Sequence, residues 1–275
     1  MKQSITAAAS VNMGKKRENN EDNLYFNGEF LTEETREKSV DFETICGDKR
    51  QFYAVCDGMG GEQLGELASM IAVETLHKYA DLLRHDDNKN RGKNIDAEWD
   101  RCIREANSLI CEAQKRRGVN RIGTTLALLA VDNDNKSAHL YNVGDSRIYL
   151  FRKEKLEQIS FDHTAVANSV KMGVLTPEQA RVHPHRNRLT QFVGINPAEM
   201  VIEAQKSIIK IKNKDIFLLC SDGLTDMLDD AEISSILKKN NRPAEAVRQL
   251  MDEVLSRNGR DNITIIILAY KRSIW

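Results

Sequence analysis

The stretch QFYAVCDGMGG at residues 51–61 runs from an apolar, aromatic segment of strand length into an aspartate and a cluster of glycines. Residues 51–56 (QFYAVC) have the composition of a short β-strand, and Asp57-Gly58 marks its end. Glycines directly after a strand let the backbone turn sharply and approach an ion or a phosphate closely. The arrangement recurs where the apolar run 215–220 (DIFLLC) leads into Ser221-Asp222-Gly223. Two further aspartates precede apolar runs: Asp22 stands before Leu24-Tyr25-Phe26, and Asp261 before Ile263. Acids at the C-terminal ends of some strands and the N-terminal ends of others share one edge of an antiparallel sheet. Asp145, in Val143-Gly144-Asp145-Ser146-Arg147, is placed to join them.

Outward from these points, residues 124–131 (TTLALLAV), 138–143 (AHLYNV), 147–151 (RIYLF) and 263–269 (ITIIILA) also read as short strands. The 143–147 segment between two of them reads as a tight hairpin. Four segments read as helices. Within 66–83, Ala68, Ile71, Ala72, Thr75, Leu76 and Tyr79 share a face, and Trp99, Ile103, Ala106, Ile110 and Ala113 recur at helical steps. Residues 230–239 and 243–256 form the others, with Pro243 suited to a first turn. Strands and helices do not alternate as βαβ units. The order predicts an α+β layered domain with mainly antiparallel sheets. Residues 28–50 read as a charged excursion, and 85–94 as a loop between the long helices. No segment marks a domain boundary, so residues 1–275 are expected to form one domain.

Composition narrows the function. The 275 residues are 41% hydrophobic and 29% charged, which excludes a membrane protein and a disordered chain. The formal net charge of −1 provides no basic field for nucleic acid, so neither nucleic acid nor membrane is expected as a partner. Five cysteines with no CxxC argue against a disulfide framework or zinc ribbon and favour free thiols in a reducing cytoplasm. The N-terminal residues have no apolar core of signal-peptide length, which agrees with a cytoplasmic location.

Carboxylates crowded at one rim would repel one another and raise each other's pKa values. A divalent cation relieves this, and an oxygen-only donor set favours Mg²⁺ or Mn²⁺ over Zn²⁺.

Six segments, in order and spacing, resemble the metal-dependent type 2C protein serine/threonine phosphatases in their bacterial form. They are Arg17-Glu18-Asn19-Asn20-Glu21-Asp22, the 55–61 segment quoted above, Gly123-Thr124-Thr125, the 143–147 segment, Cys220-Ser221-Asp222-Gly223-Leu224 and Asp261-Asn262-Ile263-Thr264. The resemblance spans residues 10–270. It implies a four-layer α-β-β-α sandwich of two mainly antiparallel sheets flanked by helices. It also implies that the whole chain is one catalytic domain with a flap over about 162–194.

By the same resemblance, Asp57 bridges two Mg²⁺ or Mn²⁺ ions and the carbonyl of Gly58 binds one of them. Asp222 and Asp261 bind the other. Glu21 and Asp22 act at or near the metals, partly through water, and Asp145 adds to a weaker third site with Asp222. Arg17 holds the substrate phosphate, while Asn20 and Asn262 support the ligands from behind. The implied reaction is hydrolysis of phosphoserine and phosphothreonine in proteins by a metal-activated water. The implied partners are phosphorylated proteins, among them a Ser/Thr kinase and its targets, and the protein is expected to be a monomer. The alternative is a catalytically silent binding or scaffolding module of the same fold.

Some residues depart from the family pattern or imitate other sites. Met59 stands where some family members carry a histidine proposed as general acid, so the acid is unassigned. Leu189-Thr190-Gln191-Phe192-Val193-Gly194 differs from the usual Leu-Thr-Arg-Ala-Leu-Gly of the flap. His163, His183 and His185 of the flap are expected to be hydrogen-bonded or at the surface. Cys111 and Arg117 have the Cys-x5-Arg spacing of tyrosine phosphatases. The intervening residues lack glycine and continue a helical pattern, which rules out a phosphate loop. Asp132-Asn133-Asp134-Asn135 begins like a calcium loop but lacks its glycine and its final glutamate, and is expected to be a hairpin turn.

Overall fold

A computed structural model describes residues 3–37, 39–60, 64–84, 95–119 and 121–272. The chain begins with β1 (Gln3–Asn12), β2 (Asp22–Phe26), β3 (Glu29–Phe30), β4 (Val40–Cys46) and β5 (Arg50–Met59). Two long helices follow, α1 (Gly65–Arg84) and α2 (Ile95–Arg117). Next come β6 (Gly123–Thr124), β7 (Leu126–Asp132), β8 (Ser137–Val143), β9 (Arg147–Arg152) and β10 (Lys155–Gln158). The short helices α3 (Ala165–Lys171) and α4 (Pro177–Arg181) precede β11 (Gln205–Lys210) and β12 (Ile216–Cys220). The chain closes with α5 (Asp222–Thr225), α6 (Asp230–Lys239), α7 (Pro243–Ser256) and β13 (Ile263–Arg272).

The strands form two antiparallel sheets. The first has the order β10-β9-β12-β13-β1-β4, and the second β11-β8-β7-β5-β2-β3 with β6 beside β5. Alternation along each strand decides which layer a side chain enters. From β5, Tyr53 and Val55 point between the sheets, where they meet Ile266, Leu268 and Tyr270 of β13. The neighbouring Phe52, Ala54 and Cys56 face Leu76, Trp99 and Ile103 of α1 and α2. From β13, Ile263, Ile265 and Ile267 face Ile233, Leu250 and Val254 of α6 and α7. Three cores thus separate four layers, α1/α2, sheet, sheet and α6/α7. Strands buried on both faces read as continuous apolar runs, which is why β5, β12 and β13 stand out in the sequence.

Three features differ from the sequence expectation. First, the 143–147 segment is not a hairpin. β8 belongs to the second sheet with β7 and β11 as partners, while β9 pairs with β10 and β12 in the first. The segment is a corner between sheets, turned at Gly144 with φ of 101°. Secondly, residues 28–50 contain β4, a half-exposed edge strand paired with β1. Thirdly, β1 itself carries the alanine-rich sequence QSITAAASVN, whose composition signals no strand. Its small side chains lie between β4 and β13, under α7. The β7–β8 hairpin closes through residues 133–136, as expected for the Asp132–Asn135 turn. Among the described residues, no helix is long and apolar enough to cross a membrane.

Trp99 is fully buried and meets Phe52 edge-on at 5.2 Å between ring centroids. Trp99→Ala is expected to lower the unfolding free energy by about 3–5 kcal/mol, read from urea denaturation with an unchanged m-value.

Candidate metal centre

At one rim of the sandwich, β5 leaves β7 and its last residues pair instead with β6. Asp57 sits at this transition. Its N–H donates to Thr125 Oγ1 at 2.9 Å, and its carbonyl accepts from the Thr125 N–H at 2.9 Å and from Thr124 Oγ1 at 3.0 Å. Thr125 Oγ1 in turn meets Ser146 Oγ at 2.6 Å. These bonds fix the Asp57 backbone while its side chain faces the rim. The next residue must be glycine for steric reasons, because a Cβ at Gly58 would lie 2.2 Å from the Gly65 carbonyl and 2.5 Å from that of Glu21.

Asp22 opposes Asp57 in register on β2. It is almost fully buried, and its Oδ2 accepts from Ser221 Oγ at 2.8 Å and Thr264 Oγ1 at 2.6 Å. Both hydroxyls belong to the other sheet's rim, so this carboxylate ties the sheets together behind the cavity. Asn20 supports it, accepting from the Asp22 N–H at 3.2 Å and donating to the Arg36 carbonyl at 3.0 Å. Asn262 pins the opposite loop. Its Oδ1 accepts from the Glu21 N–H at 2.8 Å, and its Nδ2 donates to the Met13 and Asn19 carbonyls at 2.9 and 3.0 Å. That loop carries Arg17, whose Nη2 donates to Asp261 Oδ2 at 2.8 Å.

Arg17, Glu21, Asp57, Gly58, Asp145, Asp222 and Asp261 all line one cavity of ≈ 300 Å³. Asn262 lines it as well, whereas Asp22 and Asn20 lie behind it. Burial pushes the Asp57 and Asp222 carboxyls well above the ordinary carboxylate range, and the neighbouring aspartates push them further. Burial, then Asp162, raises Asp145 to about 7. Burial raises Asp22 to about 6 against the stabilising hydroxyls. Glu21 is raised by burial and then by Glu66. Among the described residues, Arg17 is the one cation lining the cavity, and its guanidinium does not balance this charge.

The donor set suits a hard divalent cation. It is all oxygen, it repels itself, and Asp22 Oδ1 is buried with no hydrogen-bond partner. Among the described residues, no three carboxylate, histidine or cysteine side chains close on a single point. The acids share a rim without forming a cage. An all-oxygen set favours Mg²⁺ or Mn²⁺, which keep several waters and take one or two carboxylates each, over zinc.

Other sequence expectations also find their places. Gly61 lies outside the described residues. His163 Nδ1 accepts from the Gly144 N–H at 3.2 Å, and burial lowers its pKa. His183 Nδ1 accepts from the His185 N–H at 3.1 Å. Cys111 and Arg117 both lie in α2, with Cys111 Sγ donating toward the Ile195 carbonyl at 3.4 Å. The sequence did not single out the hydroxyls of Ser146, Ser221 and Thr264 as supports, although each adjoins a quoted aspartate motif. Nor did it single out Asn187 of the flap, which also lines the cavity, as does Leu189 of the quoted flap segment.

A family model described as protein phosphatase 2C matches residues 41–262. The chain belongs to the protein phosphatase 2C family. It is 32% identical over 222 residues to the serine/threonine phosphatase stp of Listeria innocua, covering 80% of this chain and 85% of that one. Identity to the protein phosphatase PhpP of Streptococcus pneumoniae is 34% over 223 residues, covering 80% and 86%. The crystal structure of the Mycobacterium tuberculosis serine/threonine phosphatase PstP superposes with a TM-score of 0.79 at 28% identity, covering 98% of this chain and 100% of that one. A structure of the PstP catalytic domain in complex with 2 manganese ions has a TM-score of 0.78 at 26% identity, covering 98% and 100%. As a member of this family, the protein is a metal-dependent protein serine/threonine phosphatase whose cofactor is Mg²⁺ or Mn²⁺. The two-sheet, helix-flanked architecture is that of these relatives.

The raised carboxyl pKa values have a thermodynamic consequence. The unfolded chain ionises these groups near the ordinary value of 3.8, while folded Asp22 and Asp145 hold protons to about 6 and about 7. The folded state therefore binds more protons across this window, and stability falls as pH rises through it. Metal-free protein is expected to melt at a lower temperature at about pH 7.5 than at about pH 5.5. Saturating Mn²⁺ should reverse that order, because a cation favours the ionised carboxylates. Differential scanning calorimetry with and without chelator checks both signs.

Proposed function

We propose that residues 1–275 act as one catalytic domain that hydrolyses phosphoserine and phosphothreonine side chains of proteins at the rim cavity. The observation that carries this reading is that Arg17 and the carboxylates of Asp57, Asp145, Asp222 and Asp261 line the same cavity. In this assignment Asp57 would hold both cations, the Gly58 carbonyl would help hold one, and Asp222 and Asp261 the other. Glu21 and Asp22 act beside them, Asp22 from behind Asp57. Asp145 and Asp222 would hold a weaker third ion. Bound there, Mg²⁺ or Mn²⁺ supplies Lewis acidity that brings a water toward ionisation at neutral pH and offsets charge on the transferring phosphoryl group.

The chain's own residues supply orientation and charge. Arg17 is half-exposed at the cavity mouth with one arm on Asp261, which leaves other guanidinium N–H groups to bind phosphate oxygens as a planar fork. Asn262 fixes the loop that carries Arg17 and Glu21, so the phosphate-binding group and the carboxylates keep their mutual positions. Asp22 holds the two sheet rims at a fixed separation through Ser221 and Thr264. Met59 lines the cavity but carries no proton to give, so the acid for the leaving serine or threonine oxygen is another group. No nucleophilic cysteine or serine is needed. A silent scaffolding role finds no support in a cavity that keeps the phosphate arginine and every bridging acid. As partners we infer phosphoproteins, including a Ser/Thr kinase and its targets, met by a monomer in the cytoplasm.

The test is p-nitrophenyl phosphate and phosphopeptide hydrolysis with Mn²⁺ and with EDTA. Activity is expected only with the metal. Asp57→Asn should lower kcat by more than about a hundredfold, since even the supports of metal ligands are worth about 10–100-fold. Near-wild-type rates in that variant would contradict the assignment. Arg17→Ala should mainly raise KM, by about ten- to a hundredfold, as charge-assisted hydrogen bonds worth about 1.5–3 kcal/mol are lost.

A further inference from the structure

The end of the sandwich away from the catalytic rim has the opposite charge. Leu126 and Val143 pair at the rim, and β7 and β8 close on Asp132 and Ser137 at the far end. The length of β7 places that end about 20 Å from the rim. The β9–β10 turn, the loop from β11 to β12 and the end of β13 reach the same end, through the pairs Arg152–Lys155, Ile216–Ala269 and Ser4–Lys271. Lys136, Lys153, Lys210, Lys212, Lys214 and Lys271 stand on these segments, all exposed except the half-buried Lys136. Among the described residues, none of these lysines has a carboxylate partner. The acids nearby are engaged elsewhere: Asp134 with Lys49, Glu154 with Lys238, Asp215 with Arg152, and Asp132 and Asp48 with Asn135 and Cys46. The net charge of −1 hides this segregation, because it sums an acidic rim and a basic end. The expectation of no membrane partner rested on that sum and does not reach a local field.

This basic end is also braced. Arg152 Nε donates to Asp215 Oδ1 at 2.8 Å, and its Nη2 donates to the Lys210 carbonyl at 2.9 Å. Asp215 Oδ2 accepts from the Lys212 N–H at 2.6 Å. The Ile211 N–H donates to the Lys136 carbonyl at 2.8 Å, and the Lys214 N–H to the Tyr270 carbonyl at 3.1 Å. The Arg152–Asp215 pair and these backbone bonds knit the turns together from inside and leave the lysines outside. Lys136, Lys153 and Lys214 have φ of 52°, 51° and 70°, a left-handed backbone that glycine or asparagine adopts more easily.

We propose that this lysine-rich end is a docking surface for an anionic lipid membrane, which the protein meets with its catalytic rim turned away. The inference stands apart from the catalytic reading. The chemistry of the surface favours lipid headgroups over a protein or a nucleic acid. Its basic groups are ammonium point charges spread over several turns. Among the described residues, no aromatic side chain is exposed and Arg152 is spent on Asp215, so the aromatic and arginine anchors of macromolecular contacts are missing here. Each lysine close to an anionic bilayer strengthens binding about fivefold. The acidic rim, about 20 Å further out, lies beyond the screening length of about 8 Å at physiological salt and escapes repulsion. Without an apolar anchor the attachment is reversible and sensitive to salt.

The test is co-sedimentation of the Mn²⁺-loaded full chain with vesicles of equimolar phosphatidylcholine and phosphatidylglycerol, against vesicles of phosphatidylcholine alone. The wild type is expected to bind the anionic vesicles at least about tenfold more tightly at about 0.1 M salt and to release them at about 0.5 M. The combined variant Lys210→Gln, Lys212→Gln and Lys214→Gln should weaken that binding about a hundredfold, at about fivefold per lysine. Its hydrolysis of p-nitrophenyl phosphate should be unchanged, which shows an intact fold. Lys115→Gln, Arg116→Gln and Arg117→Gln together remove the same charge from the end of α2 and should leave vesicle binding within about twofold. Equal binding of the two vesicle types by the wild type would overturn the proposal. So would an unchanged affinity in the first variant, or an equal loss in the second, which would assign the effect to net charge. Wild-type protein that ignores the anionic vesicles but is retained on immobilised polyglutamate would overturn it in favour of an acidic protein.

Discussion

The Asp22 carboxylate, buried between two sheets and holding one hydroxyl from Ser221 and one from Thr264, is where this fold and its chemistry meet. A charged group out of water is costly unless it is paired and hydrogen-bonded. Here the hydrogen bonds come from the partner sheet, so the group that most needs satisfaction also sets the distance between the rims. Asp57 stands opposite it in register, and Asp222 follows Ser221 directly. The cavity acids are therefore carried by the same few residues that join the layers. Their mutual repulsion is a strain on the metal-free fold that a bound cation would relieve.

The loop from residue 13 to residue 21 shows the same economy of parts. Asn262 alone receives the Glu21 N–H and binds the carbonyls of Met13 and Asn19. Arg17 is thus positioned from the last strand's approach, almost the full length of the chain away. The flap is mounted differently, by the Arg186–Asp226 ion pair and a few backbone bonds near residues 163–165 and 188–190. The cavity acids sit at the ends of sheet strands, while the flap beside them is joined to the fold by that ion pair and those backbone bonds.

Much of this was legible in the sequence, for physical reasons that also explain what was not. The strands β5, β12 and β13 are buried on both faces and read as unbroken apolar runs. The helices α6 and α7 carry strong periodicity, and their observed bounds coincide with those expected. The aspartates were legible because each lies at a strand end beside glycine or asparagine. β1 was not, because alanines chosen for close packing between sheet and helix carry no strand signal of their own. The corner at 143–147 was misread as a hairpin, since local turn chemistry does not say which sheet the next strand joins. That depends on β8 having both edges already occupied. Asn187 and the supporting hydroxyls were hidden for a related reason: a polar residue gains meaning only from what the fold brings beside it.

The central claim is that these acids gather a pair of hard cations around Asp57. The most direct measurement is an anomalous difference map from crystals of this protein grown in Mn²⁺. The account predicts paired manganese peaks in the rim cavity, both in contact with the Asp57 carboxylate, with Asp222 and Asp261 on one of them. A well-ordered cavity with no paired peaks, or manganese bound elsewhere while Asp57 stays free, would contradict it.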